Sequence, residues 1–340
     1  MTTLTERLGA DLDVRLAGAD DALTAGFPGD RPGRQPIHTV YVPADRYHAD
    51  LGADWGEQAI RVLDEHEALF HELVGGDADL VERVRAKLAG EPIEDLRIDF
   101  EDGYGARPDD EEDAHVTTAA RALLDSRGRA AAPPFSGIRV KSFEAPTRRR
   151  GLRSLVAFVG PLADANAVLD QFVTTLPKVT SVDQVDAMVY VCAELERATG
   201  LPERALRFEI QVETPQSILG PDGTALVARM VHAADGRCTA LHYGTYDYSA
   251  FCGIAAEYQS MAHPVADHAK LVMQAAAAGT GVRLSDGSTN VLPVGEPAAV
   301  RRGWQLHLEL VRRSLERGYY QGWDLHPAQL PTRYAATIGF

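Results

Sequence analysis

The residues best placed to do chemistry are carboxylates that close apolar runs. In "FEIQVETPQSI", residues 208–218, a strand-like stretch ends abruptly in Glu213, Thr214 and Pro215. A second run, "ALHYGTYDYSA" at 240–250, delivers Asp247. If these runs are consecutive parallel strands they lie about 4.8 Å apart, close enough for the two carboxylates to share one ion. Ligation by oxygen alone, completed by water and substrate, suits Mg2+ better than zinc, which usually recruits His or Cys. The competing reading of the same residues is a helix cap at Glu213 and a solvated Asp247.

Other chemically able residues follow the same pattern. "RIDFEDGYGARP" places Asp99, Glu101 and Asp102 at one strand end, where they repel one another unless a cation or basic side chain such as Arg139 or Lys178 neutralises them. The alternative is a solvated acidic face. "GIRVKSFE" sets Arg139 and Lys141 on one face of a strand, because strand periodicity is two. An arginine fork there can clamp a carboxylate with paired hydrogen bonds, or tie strands together through Glu101 or Asp102. Lys178 of "TTLPKVTS" would form a Schiff base only with a depressed pKa, and its acidic surroundings argue for a protonated amine instead. His326 of "GWDLHPAQL" reads as structural or catalytic, and the basic run "TRRRGLRS" as a solvated helix start or an anion contact.

The elements that must position these groups alternate. Strand patterns occur in "HTVYVP", "LRIDFED", "GIRVKS", "VTTLPK", "LRFEIQVE", "ALHYGTYD", "VRLSDG" and "GWDLHP", with helical spacing between them. Strand followed by helix, eight times over, predicts a closed (β/α)8 TIM barrel. Its active-site face lies at the C-terminal strand ends, which here carry Glu101, Asp102, Lys141, Lys178, Glu213, Asp247, Asp286 and His326. Residues 1–35 read as an N-terminal helical leader ending in the linker "FPGDRPGRQP", and 36–340 as the barrel domain. Roughly 55 residues separate the first two strands, an insertion of two or three helices placed to cover part of the mouth.

Bulk properties narrow the partners. The formal net charge of -15 over 340 residues argues against nucleic acid or an anionic membrane and favours a small molecule. Cys192, Cys238 and Cys252 form no CxxC pair, so neither a disulfide framework nor a thiolate zinc site is expected. An acidic N-terminus without an apolar core is unlike a signal peptide, which together with the thiols points to a reducing cytoplasm.

In order along the chain, "VYVPADR", "DFEDGYG", "IRVKS", "LPKV", "VETP", "YGTYD" and "GWDLHPAQ" resemble the HpcH/HpaI aldolase and citrate lyase β-subunit family, close to the malyl-CoA lyases. The similarity spans roughly residues 37 to 330. It implies an oligomeric, Mg2+-dependent TIM barrel that makes or breaks a carbon–carbon bond next to a carbonyl, on a 2-oxo or hydroxy acid carried free or as a CoA thioester. Carried over by motif, Glu213 and Asp247 become metal ligands and Arg139 the clamp for the substrate carboxylate. Glu101 and Asp102 become the catalytic acids around the metal-bound water, and Lys178, Tyr246 and His326 line the substrate. Lys141 stands where the family commonly shows Asn, and related lyases extend beyond the point where "YAATIGF" ends this sequence, into a lid that supplies a catalytic acid. A CoA-independent aldolase releasing pyruvate and a non-catalytic metabolite-binding subunit are the alternative readings.

Overall fold

The computed structural model describes residues 3–165 and 171–340. In chain order the elements are α1 (Leu4–Gly26), β1 (His38–Pro43), α2 (Leu51–Glu65), α3 (Glu67–Leu73), α4 (Ala78–Gly90), β2 (Asp95–Asp99), α5 (Asp109–Ser126), β3 (Phe135–Arg139), α6 (Arg148–Asp164) and β4 (Phe172–Leu176). There follow α7 (Val182–Thr199), β5 (Arg207–Val212), α8 (Pro215–Ile218), α9 (Leu226–Ala233), β6 (Cys238–Tyr243), α10 (Thr245–Phe251), α11 (Pro264–Ala277), β7 (Arg283–Ser285), α12 (Pro297–Glu316), β8 (Gly322–Asp324) and α13 (Leu330–Ile338). Among the described residues the eight strands are all parallel, in the order β7-β6-β5-β4-β3-β2-β1-β8. A single bridge between Ser285 and Gln321 joins the two ends, so the sheet is a nearly closed (β/α)8 barrel.

Alternation along each strand separates two environments. Outward residues such as Val40, Ile98, Ile138, Ile210 and Leu241 are buried with Val84, Val116, Phe158, Met188, Val227 and Trp304 of the helices, forming the apolar layer that holds the ring together. Many inward residues are polar and pair inside the barrel. Arg97 grips Glu209 with two hydrogen bonds of 2.9 and 2.7 Å, Thr175 donates to Glu209 at 2.5 Å, and Thr39 donates to Asp95 at 3.0 Å. Buried charge is tolerated here because each group is paired and hydrogen-bonded.

The insertion after β1 consists of α2 and α3 ahead of α4. It is held at the flank of the barrel, where Phe70 packs edge-on against Trp304 of α12 and Arg301 pairs with Glu72 at 2.7 and 2.8 Å. The segment between α1 and β1 does more than link: Gly29 N–H donates to Gly279 O at 2.8 Å and Arg283 donates to the Gly33 and Arg34 carbonyls at 3.0 and 2.6 Å, fastening it over the N-terminal strand ends. Helix α1 is closed at its start by a reciprocal Thr3–Glu6 capping box and buries none of its residues. Among the described residues, no helix is long and apolar enough to cross a membrane.

Candidate active site

The strand ends gather one connected polar cluster. β5 stops at Val212, and Pro215, which cannot continue the ladder, opens α8, leaving Glu213 at the rim and only 1% exposed. Its carboxylate is fixed from two sides. Lys178 N–H donates to Oε1 at 2.8 Å and Gln211 Nε2 donates to Oε2 at 2.5 Å. Gly244 makes room for it, since a Cβ at that position would stand 2.5 Å from Glu213 Cβ. α8 has no side-chain cap, so the helix-cap reading of Glu213 does not describe its role.

Asp247 lies in the first turn of α10, directly after β6, and accepts from Lys178 Nζ at 3.0 Å. The same ammonium lies 2.7 Å from Glu101, 2.8 Å from Asp102 and 4.0 Å from Glu213. Asp102, Glu213 and Asp247 each offer an oxygen within 4.8 Å of the others. Asp102 thus joins the two acids read as metal ligands from the sequence.

The electrostatics follow from burial. Burial first, with Glu101 and Asp247 adding like charge, pushes the Glu213 carboxyl up to about 8, although Lys178 and Arg139 pull the other way. Glu101 is also raised, chiefly by burial. For Asp102, burial is outweighed by the Lys178 ammonium, and its carboxyl is held below the ordinary value. Burial opposes the charge of Lys178, but Glu213, Glu101 and Asp102 together raise its pKa, so the amine is a cation and not a Schiff-base nucleophile. An all-oxygen donor set around a buried carboxylate that is costly to ionise alone fits a hard divalent cation. The ammonium already marks the place as one that collects positive charge.

Arg139 is buried on β3, and its fork is spent on Asp99, with hydrogen bonds of 2.7 and 2.6 Å. Of the two acids expected to pair with it, Glu101 does so through Nη1 alone. Only Nη1 is left toward the mouth, 3.3 Å from Gln211 Oε1 and 3.6 Å from Glu101. Asp99 accepts in addition from the N–H groups of Glu101 and Gly103 at 3.0 and 2.8 Å, shaping the acidic turn. A chain of contacts therefore runs Asp99, Arg139, Gln211, Glu213, Lys178.

Several expected residues find their partners outside the acidic cluster. β3 ends at Arg139, so strand alternation does not carry Lys141 into the mouth; its ammonium binds Glu112 of α5 at 2.6 Å and the Phe100 carbonyl at 2.7 Å. Asp286 is turned outward to Lys270 at 2.9 Å and Ser314 at 2.6 Å. Tyr246 braces the loop after β7, its hydroxyl accepting from Asn290 N–H at 2.6 Å and donating to Ser288 O at 3.3 Å. His326 caps the turn after β8 by accepting from Ala328 N–H at 3.1 Å, and burial lowers its pKa. In the basic run, Arg150 is tied to Asp113 of α5 at 2.5 Å, while Arg148 is the helix start.

Comparison with known proteins agrees with this architecture. A family model described as a domain of unknown function, DUF6986, matches residues 16–340. No curated protein sequence matches. Among solved structures, a citrate lyase from Burkholderia xenovorans LB400 is 19% identical, covers 92% of this chain and 80% of its own, and has a TM-score of 0.60. Haloferax volcanii malate synthase in its magnesium and glyoxylate complex is 16% identical over 91% of this chain and 77% of its own, TM-score 0.60. The citrate lyase β subunit from M. tuberculosis, complexed with oxaloacetate and magnesium, is 17% identical over 89% of this chain and 96% of its own, TM-score 0.51. At these identities the likeness is one of fold, shared by malate synthase and citrate lyase structures alike.

Proposed function

We propose that this chain, which belongs to the DUF6986 family, is a Mg2+-dependent carbon–carbon lyase or aldolase acting on a 2-oxo or hydroxy acid. The observation that carries the reading is the convergence of Asp102, Glu213 and Asp247 on one point at the C-terminal barrel mouth. Structures of like fold are described in complex with magnesium and small oxo acids, oxaloacetate in one case and glyoxylate in another.

Asp102, Glu213 and Asp247 would hold the cation. When bound, it draws electron density from the oxygen of a chelating oxo or hydroxy acid. In the cleavage direction the substrate hydroxyl loses its proton as the neighbouring carbon–carbon bond breaks. One fragment leaves as a carbonyl compound, and the electron pair remains on the other as an enolate. Lys178 Nζ and the remaining Nη1 of Arg139 supply fixed donors for the developing negative oxygen. Glu101, raised by burial and 2.7 Å from Lys178 Nζ, is the group assigned to move the proton. Gln211 and the Lys178 N–H keep the Glu213 carboxylate aimed, and Asp99 keeps Arg139 in place.

Tyr246 and His326, both half-buried beyond the acidic cluster, would bound the space for the second fragment. The protein is proposed to work in the cytoplasm, as a homo-oligomer. Turnover assays on malyl-CoA, citramalyl-CoA and free hydroxy-oxo acids, each with and without Mg2+, test the function. Metal-dependent cleavage of thioesters assigns a CoA lyase and of free acids a CoA-independent aldolase. Ligand binding without turnover of any of them overturns the enzymatic reading.

A further inference from the structure

We infer that the N-terminal end of the barrel, opposite the mouth, carries a binding site for a small, multiply charged oxyanion. The segment between α1 and β1 encloses there a cavity of about 310 Å³ whose lining includes Arg31, Arg34, Arg207 and Arg283. That volume lies at the lower end of the roughly 300–1,000 Å³ usual for small-molecule sites.

The charge balance is unusual for a chain with a formal net charge of -15. Arg34 is neutralised by Glu91 and Glu94 at 2.5 Å each. Arg31 uses only Nη2, on the carbonyls of Gly236 and Cys238 at 2.9 and 2.8 Å, and Arg283 likewise meets only carbonyls. Arg207, the first residue of β5, is exposed, and its guanidinium makes no hydrogen bond or ion pair among the described residues. None of these three has a carboxylate partner there. The acids on the cavity floor do not supply one, because Asp95 and Glu209 are held by Arg97, and Glu209 also by His242 at 3.0 Å.

The guanidinium groups also feel one another. Burial chiefly, with repulsion from Arg207 adding to it against an opposing pull from Cys238, lowers the pKa of Arg31, and burial followed by repulsion from Arg31 lowers that of Arg283. A concavity that focuses one sign of charge raises the local concentration of counter-ions. The unused fork nitrogens are planar donors suited to the oxygens of a phosphate or a polycarboxylate.

The test uses the full-length, metal-free protein, whose acidic mouth repels anions. Inorganic pyrophosphate, citrate and sodium chloride at matched ionic strength are titrated by calorimetry and followed by thermal melting. Saturable binding with a raised Tm is expected from pyrophosphate or citrate and not from sodium chloride, the better of the two identifying the class of anion. Arg207→Glu should weaken that binding about tenfold or more, the loss of one charge-assisted contact. Arg207→Gln should fall between and carries the comparison if the glutamate variant melts low. Absence of saturable binding, or equal affinity in wild type and Arg207 variants, overturns the site.

Discussion

The backbone N–H of Lys178 donates to Glu213 Oε1 at 2.8 Å from a residue whose φ of 52° lies in the left-handed region. For a residue with a Cβ that conformation costs about 1–2 kcal/mol. The strained turn lets one residue serve twice: its amide orients a carboxylate and its ammonium sits between Asp102 and Asp247. Main-chain and side-chain roles can therefore be separated by mutation.

Replacing Lys178 by Met removes the ammonium and keeps the amide. We expect divalent cation affinity to rise about tenfold, since a competing charge near Asp102 and Asp247 is lost, while turnover falls steeply because the enolate loses a donor. Metal titration alongside single-turnover kinetics measures both. Unchanged affinity would show that the ammonium does not compete for the cation position.

The pH dependence of the metal-free protein follows from Glu213. Its carboxyl is raised to about 8 in the folded state, against about 4.3 in an unfolded chain. Between those values the folded protein holds a proton that the unfolded chain has released, so stability falls as pH rises through this window and levels off above it. Glu213→Gln should flatten that decline in thermal melts. A decline of the same size in the variant would place the titrating group elsewhere.

Arg139→Lys replaces a fork by a point charge. The paired bonds to Asp99 are then lost, which lowers stability by about 1–3 kcal/mol, and KM for the carboxylate substrate should rise through loss of Nη1. A lower Tm with wild-type KM would make Arg139 a purely structural tie between β2 and β3.

Asp324 of the "GWDLHP" run works outside the mouth. It accepts from Arg333 at 2.9 Å and is bonded to His38 at 2.6 Å and His307 at 3.0 Å, all buried. Burial acts against its charge, yet Arg333 and the two histidines hold its carboxyl well below the ordinary value. Asp324→Asn leaves Arg333 without its counter-charge and should remove about 3–5 kcal/mol of stability. Divalent metal affinity in the fraction that remains folded should stay at the wild-type value, which titration below the melting temperature checks.

The barrel was legible because every strand but β8 carries apolar residues on its outer face, and a turn signal closes each run. The ends of β5 and β6 therefore pointed to Glu213 and Asp247. Asp99 was legible with Glu101 and Asp102 as part of one acidic strand end, whereas Gln211 was harder to see as a site residue. It sits inside β5, two positions before Glu213, where a polar residue at period two reads equally well as barrel filling. That i, i+2 pairing of polar residues on a buried strand was the available signal. Lys141 was misplaced because its strand stops two residues earlier than alternation suggested. The fastening of "FPGDRPGRQP" across the N-terminal strand ends depends on carbonyl contacts, which composition does not record.

Calorimetric titration of Mg2+ into wild type, Glu213→Gln and Asp247→Asn proteins tests the central claim most directly. One saturable site in wild type, weakened at least about tenfold in each variant while both variants remain folded, is the predicted result. Wild-type protein that binds no magnesium, or variants that titrate as wild type does, would contradict it.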